Sequence, residues 1–190
     1  MAQKKKAAGR TAPAEAALLK YPEKIRLTVT SKSEARRPQV RFFTEEERKS
    51  VAELPPAFRA DAGETTYFAA GFAVGLGKID KLDAETFADT VAAALSKAAT
   101  KLDEYQIIFA REGLEKIGLR IALRLTAVAQ ANAEFPSDLL KADKNRKKVT
   151  VKRSEIVVPT ALMPLAETVL SSALIEARHI TAMRQTQALP

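Results

Sequence analysis

The amino-acid sequence predicts a mainly α-helical bundle with a small N-terminal β-hairpin and a flexible basic N-terminal arm. Alanine, the strongest helix former, occurs 35 times in 190 residues. Apolar residues recur every seven positions from Ile107 through Leu114 and Ile121 to Val128, which is the spacing of one face of a long helix. Residues 1–19 combine four basic residues with small side chains and contain too few large apolar residues to form a core.

The two strands of the hairpin are predicted at about residues 24–43, where apolar and polar residues alternate with a period of two. A helix is predicted over about 44–54. Thr44 is expected to cap its first free amides, and three glutamates follow at the positive end of the helix dipole. Pro55 is expected to end this helix, because proline disfavours helical geometry in the residue before it.

The most apolar part of the chain, about residues 64–78, is predicted as a buried helix whose glycines allow another backbone to approach closely. Asp83 is expected to cap the next helix, over about 84–101. The seven-residue repeat predicts a helix over 103–134 with Ile121 in the core, so that an aspartate there would unfold the domain. A last helix is predicted over 161–185. Residues 20–190 are therefore expected to form a single predominantly helical domain, a size that fits one core.

The composition excludes several classes of enzyme. Cysteine is absent and histidine occurs once, at His179, which removes disulfide scaffolds, zinc fingers, iron–sulfur clusters and thiol nucleophiles. The glycine-rich run that begins at Gly71 fails as a phosphate loop, because Phe72 and Ile79 stand where glycine and a hydroxyl are required. We therefore expect no catalytic residue, no metal and no cofactor, and we expect that the protein is not an enzyme.

Basic residues are concentrated in two segments. Residues 1–40 hold ten basic and three acidic residues, and residues 141–153 hold seven basic residues and one acidic residue. The rest of the chain carries five more acidic than basic residues, although the whole chain has a formal net charge of +8. Such segregation is typical of a protein that binds a polyanion, since each neutralised phosphate releases condensed counterions.

The candidate nucleic-acid-binding residues are the cations of these segments and of the second predicted strand. They are Lys4, Lys5, Lys6, Arg10, Arg36, Arg37, Arg41, Lys144, Arg146, Lys147, Lys148, Lys152 and Arg153. Their contacts are expected to be with phosphates rather than base edges.

The function predicted from these observations is a non-catalytic, nucleic-acid-binding structural component of a nucleoprotein assembly. Its partners would be RNA or DNA and other protein subunits, and no membrane is expected because no apolar run is long enough to span one. The predicted location is cytoplasmic or within a nucleoprotein particle, and organellar import directed by the basic arm stays open. The alternative is a homo-oligomeric protein–protein interaction or scaffold module whose basic segments serve solubility.

Overall fold

The computed structural model describes residues 24–135 and 148–187 and gives this part of the chain an α/β architecture. Its strands are β1 (Leu27–Thr30), β2 (Gln39–Thr44), β3 (Thr65–Phe68), β4 (Gly71–Gly77), β5 (Glu104–Ile108) and β6 (Arg153–Val157). Its helices are α1 (Glu45–Arg48), α2 (Ala84–Lys101), α3 (Arg111–Ile117), α4 (Leu119–Glu134) and α5 (Met163–Gln187). None of these helices is long and apolar enough to cross a membrane.

The described strands form one sheet in the order β1-β6-β5-β2-β4-β3. Neighbours from β1 to β4 are parallel, and only the edge strand β3 runs antiparallel to its partner β4. Parallel strands need long crossover connections, so paired residues are far apart in the sequence: Leu27 lies opposite Ser154.

Helices α2, α4 and α5 pack together on one face of the sheet. Between them and the sheet lies the main core, where the side chains of Val40, Phe42, Tyr105, Ile107 and Ile156 are almost completely buried. Successive strand residues point to opposite faces.

Phe43 therefore points to the other face of the sheet, where it packs in a second cluster with Leu54 and Phe58. These two residues come from the long connection between α1 and β3. The sheet is thus covered by helices on one face and partly by a loop on the other.

The prediction of a mainly helical bundle is wrong, because two predicted helices contain strands. Residues 64–78 contain β3 and β4. The helix was predicted there because a short apolar run fits a buried helix as well as a buried strand. The predicted helix 103–134 is β5, α3 and α4. Gly118, with a φ of 84°, separates the two helices; this left-handed conformation strongly favours glycine.

The predicted hairpin over 24–43 is also wrong, although both of its strands exist. β6 and β5 lie between β1 and β2 in the sheet, so the two strands do not pair with each other. The periodicity of two indicates a strand but does not identify its partner. Strand β6 was not predicted, although it occupies an interior position between β1 and β5.

Ile121 is 47% exposed on α4, so the prediction that it lies in the core is wrong. The seven-residue repeat runs through three separate elements and therefore does not mark one helix face. The predicted helix 44–54 is confined to the four residues of α1, followed by turns.

Local signals correctly located the starts of α1 and α2. The hydroxyl of Thr44 accepts a hydrogen bond from the amide of Glu47 at 3.1 Å, and Asp83 accepts one from the amide of Thr86 at 2.8 Å. The predicted helix 84–101 coincides with α2, and the last predicted helix overlaps α5. The predicted arm, residues 1–19, lies outside the described residues.

Candidate nucleic-acid interface

Six of the thirteen predicted binding residues belong to the described part of the chain. These are Arg36, Arg37, Arg41, Lys148, Lys152 and Arg153. The other seven, Lys4, Lys5, Lys6, Arg10, Lys144, Arg146 and Lys147, lie outside it.

Two of the six, Arg37 and Arg153, share one buried carboxylate. Both guanidinium groups donate to Glu155 of β6, whose side chain is almost completely buried. Arg37 also forms an ion pair with Glu34 at 3.1 Å, and the amide of Gln106 donates to Glu155 at 3.3 Å. The positive charges of these arginines therefore neutralise acids of the fold, and a phosphate would have to compete for them.

Lys152 and Arg41 are also engaged within the chain. The ammonium group of Lys152 lies 2.8 Å from a carboxylate oxygen of Asp103, and this hydrogen bond raises the pKa of Lys152. The pair is exposed, so salt and water screen it strongly. Half-buried Arg41 lies over the ring of Phe43, with 5.2 Å between the guanidinium carbon and the ring centroid. Neither contact involves a buried acid.

Lys148 lies in a groove on α2 that is lined by lysines, hydroxyl groups and alanine. The groove has a volume of about 640 Å³, and its described lining consists of Ala93, Ser96, Lys97, Thr100 and Lys148. We call it the α2 groove. None of these five side chains is acidic, in contrast to the surroundings of Arg37 and Lys152.

The position of Lys148 beside α2 is fixed by the residues that follow it. The amide of Thr150 donates to the carbonyl of Ala99 at 2.8 Å, and its hydroxyl reaches the same carbonyl at 3.2 Å. The chain next enters β6 at Arg153. The last turns of α2 thus hold the C-terminal end of the predicted basic loop.

Lys97 connects the α2 groove to the exposed aromatic ring of Tyr67. Its ammonium group lies 5.3 Å from the ring centroids of both Tyr67 and Phe72, and it donates to the hydroxyl of Thr65 at 3.1 Å. Lys97 is not among the binding residues predicted from the sequence. One signal could have found it: the last three turns of α2, residues 91–101, contain lysines but no acidic residue.

A second feature lies at the carboxyl ends of β2 and β5. After β5 the chain continues to β6 on one side of this pair of strands, and after β2 it continues to β3 and β4 on the other side. Open α/β sheets bind small ligands at such switch points. A crevice of about 280 Å³ is lined there by Arg41, Glu47 and Arg111, among other residues. Burial raises the pKa of Glu47, and the charge of Glu112 acts in the same direction. The carboxylate of Glu47 already accepts a hydrogen bond from the amide of Glu112 at 3.3 Å.

A third cavity, of about 670 Å³, lies beyond the ends of β5 and β6. Its lining is mainly apolar and includes Phe109, Leu114, Leu119 and Val157, with Arg111 at one side. Within residues 24–135 and 148–187, no group of three or more acidic, histidine or cysteine side chains is placed to hold a metal ion. His179 is exposed on α5 and is not among the described residues that line either site at the ends of the strands.

No family model and no curated protein sequence matches the chain. Among solved structures, the chain is similar to one titled "Bottromycin maturation enzyme BotP in complex with Mn", with a TM-score of 0.49 and 15% sequence identity. The match covers 75% of this chain and 30% of that chain, so this chain spans less than a third of the matched protein. The matched protein is titled an enzyme, so the comparison does not support the expectation that this chain is not an enzyme, and that expectation is not kept. At this identity and TM-score the match supports no conclusion about activity, metal or substrate.

Proposed function

We propose that this protein binds nucleic acid through the α2 groove and the basic segment 141–153 that ends beside it. The observation that carries the proposal is the pairing of Lys97 and Lys148 in one groove without an acidic side chain among its described lining residues. None of the ion pairs among the described residues involves either lysine. Within residues 24–135 and 148–187, no acidic group therefore neutralises either charge.

The sequence places further positive charge directly before Lys148 along the chain. Lys147 directly precedes Lys148, and Lys141, Lys144 and Arg146 stand within the seven residues before it. A ligand that reaches from the groove along this segment would meet several cations in succession. A chain of phosphates fits that arrangement better than a single small anion, because its charges are repeated along its length.

The side chains of the groove favour contacts with the backbone of the nucleic acid. A lysine acts as a point charge with three donors, and the hydroxyl groups of serine and threonine also commonly contact phosphates. Such contacts position the ligand without reading its base sequence. We therefore expect similar affinities for different sequences and a steep dependence on salt.

A double variant tests this proposal. Lys97→Glu with Lys148→Glu should weaken binding and flatten the slope of log affinity against log salt by about 1.4 to 1.8 units, as expected for two lost phosphate contacts. The matched control is Lys81→Glu with Lys116→Glu. Both lysines are exposed, and they follow the carboxyl ends of β4 and β5. The control substitutions change the net charge by the same amount as the groove substitutions do.

Fluorescence anisotropy with labelled oligonucleotides, measured over a range of salt concentrations, gives both slopes. The proposal requires that the control pair keeps the slope of the parent protein. Equal losses in the two double variants would mean that net charge alone attracts the ligand. Unchanged binding in the groove variant would refute the proposal.

A second candidate function, self-association, is favoured by apolar side chains exposed on α4 and α5. Ile121, Leu165, Ile175 and Met183 are each more than a third exposed. Leu165 lines a groove between α4 and α5 together with Arg124 and Glu176, which form an ion pair. A second copy of the chain carries the same residues, as a two-fold symmetric interface requires. High salt should preserve an apolar dimer and dissociate a nucleic-acid complex, so sedimentation at low and high salt distinguishes the two functions.

A further inference from the structure

Tyr67 is an exposed aromatic residue on the edge strand β3. Its side chain is 55% exposed, while the ring packs against Phe72 of β4 with 4.5 Å between the centroids. The neighbouring strand and the register of β3 with β4 hold the ring in place. One part of the ring is therefore fixed by the fold and another part faces solvent.

The ring and the α2 groove are joined by a single side chain. Lys97 lines the groove, and its ammonium group lies 5.3 Å from the centroid of the Tyr67 ring. The hydrogen bond from Lys97 to Thr65, two residues before Tyr67 on β3, keeps the ammonium group at the strand. An aromatic surface and a cationic groove thus adjoin each other.

We infer that the nucleic acid bound at this site is single-stranded, with one base stacked on Tyr67 and the adjacent phosphates at Lys97 and Lys148. This inference rests on the proposed function and adds the class of ligand. In a duplex, neighbouring base pairs cover the faces of each base, whereas an unpaired base can leave the stack and place its face on an aromatic ring.

Three substitutions at Tyr67 separate stacking from structure. Tyr67→Ala should weaken the binding of a short oligo-dT or oligo-U strand by about 5- to 150-fold, the range that stacking one base on an aromatic ring contributes. Tyr67→Phe should bind almost as well as the parent, because the face of the ring is kept. Circular dichroism and thermal unfolding show whether each variant is folded.

Tyr67→Trp provides a direct signal, because the chain contains no tryptophan. Stacking of a base on the indole should quench its fluorescence when the single strand is added. A mixed-sequence duplex of about the same length should leave the fluorescence nearly unchanged. This measurement stays decisive if the alanine variant fails to fold.

The outcomes distinguish this inference from the proposed function. If the parent protein binds neither strand form at any salt concentration, both are overturned. If the parent binds the duplex as tightly as the single strand, or if the single strand leaves the indole fluorescence unchanged, the protein binds nucleic acid without stacking on Tyr67. Tighter binding of the single strand, lost in Tyr67→Ala and kept in Tyr67→Phe, supports the inference.

Discussion

Two adjacent arginines, Arg36 and Arg37, provide a sharp test of the structure. They are identical in type and stand side by side in the connection between β1 and β2. Arg36 is exposed. Arg37 is only 14% exposed and donates to the buried carboxylate of Glu155. We predict that Arg37→Ala destabilises the fold and that Arg36→Ala does not.

The size of the effect follows from what Glu155 loses. Removing one partner of a fully buried ion pair costs about 3 to 5 kcal/mol, because a charge is left uncompensated. Here Glu155 keeps the guanidinium group of Arg153 and the amide of Gln106. The expected loss for Arg37→Ala is therefore smaller, about 2 to 3 kcal/mol. For Arg36→Ala the expected change lies within about 0.5 kcal/mol, as for most surface substitutions.

Urea unfolding followed by circular dichroism measures both free energies of unfolding. Thermal unfolding should show a decrease in Tm of about 4 to 12 °C for Arg37→Ala alone. A double-mutant cycle with Glu155→Gln should give a coupling free energy above about 1 kcal/mol, because the two groups are in direct contact. If the two alanine variants are equally stable, Glu155 is not held as described and this reasoning is refuted.

Three further predictions concern Ile121, Gly75 and Glu134. Ile121→Asp should change the free energy of unfolding by less than about 0.5 kcal/mol, because Ile121 is exposed; unfolding of this variant in a thermal scan would contradict the structure. Gly75→Ala should cost at least about 2 kcal/mol in urea unfolding, since a Cβ there would lie 2.1 Å from the carbonyl oxygen of Asp61; equal stability would contradict that close approach. Burial raises the pKa of Glu134 above its ordinary value of 4.5, so the folded protein binds this proton more tightly than the unfolded chain does. The contribution of Glu134 to stability should therefore fall as pH rises from about 4.5 through the folded-state pKa; unfolding at several pH values, compared with Glu134→Gln, should show this slope in the parent only.

Local sequence signals located the starts of α1 and α2, and the sequence alone gives the distribution of charge. Thr44 and Asp83 cap helices because a hydroxyl or carboxylate at that position satisfies free amides within the next turn. The alternation in 24–43 located two strands, and α2 has the bounds that the sequence predicts. Each of these features depends on residues within a few positions of one another.

The choice between helix and strand in the apolar run 64–78 was made by the tertiary structure. β4 is buried between β2 and β3, and both faces of such a strand are apolar, which removes the alternation that identifies a strand. Gly71 adopts a φ of 141° at the start of β4, a conformation that a helix cannot contain. The pairing of β1 with β6 likewise joins residues more than 120 positions apart, and no local pattern encodes it.

The availability of the candidate binding residues to a ligand also depends on tertiary contacts. The sequence marks Arg36 and Arg37 as equivalent cations, yet of these two residues it is Arg37 that pairs with the buried carboxylate of Glu155. It leaves Lys97 unremarked within a helix, although folding brings this lysine beside Lys148 and Tyr67. Charge can be counted along a chain, but its availability to a ligand depends on which oppositely charged groups the fold places within a few ångströms, because the interaction of two charges weakens with distance and with exposure to water.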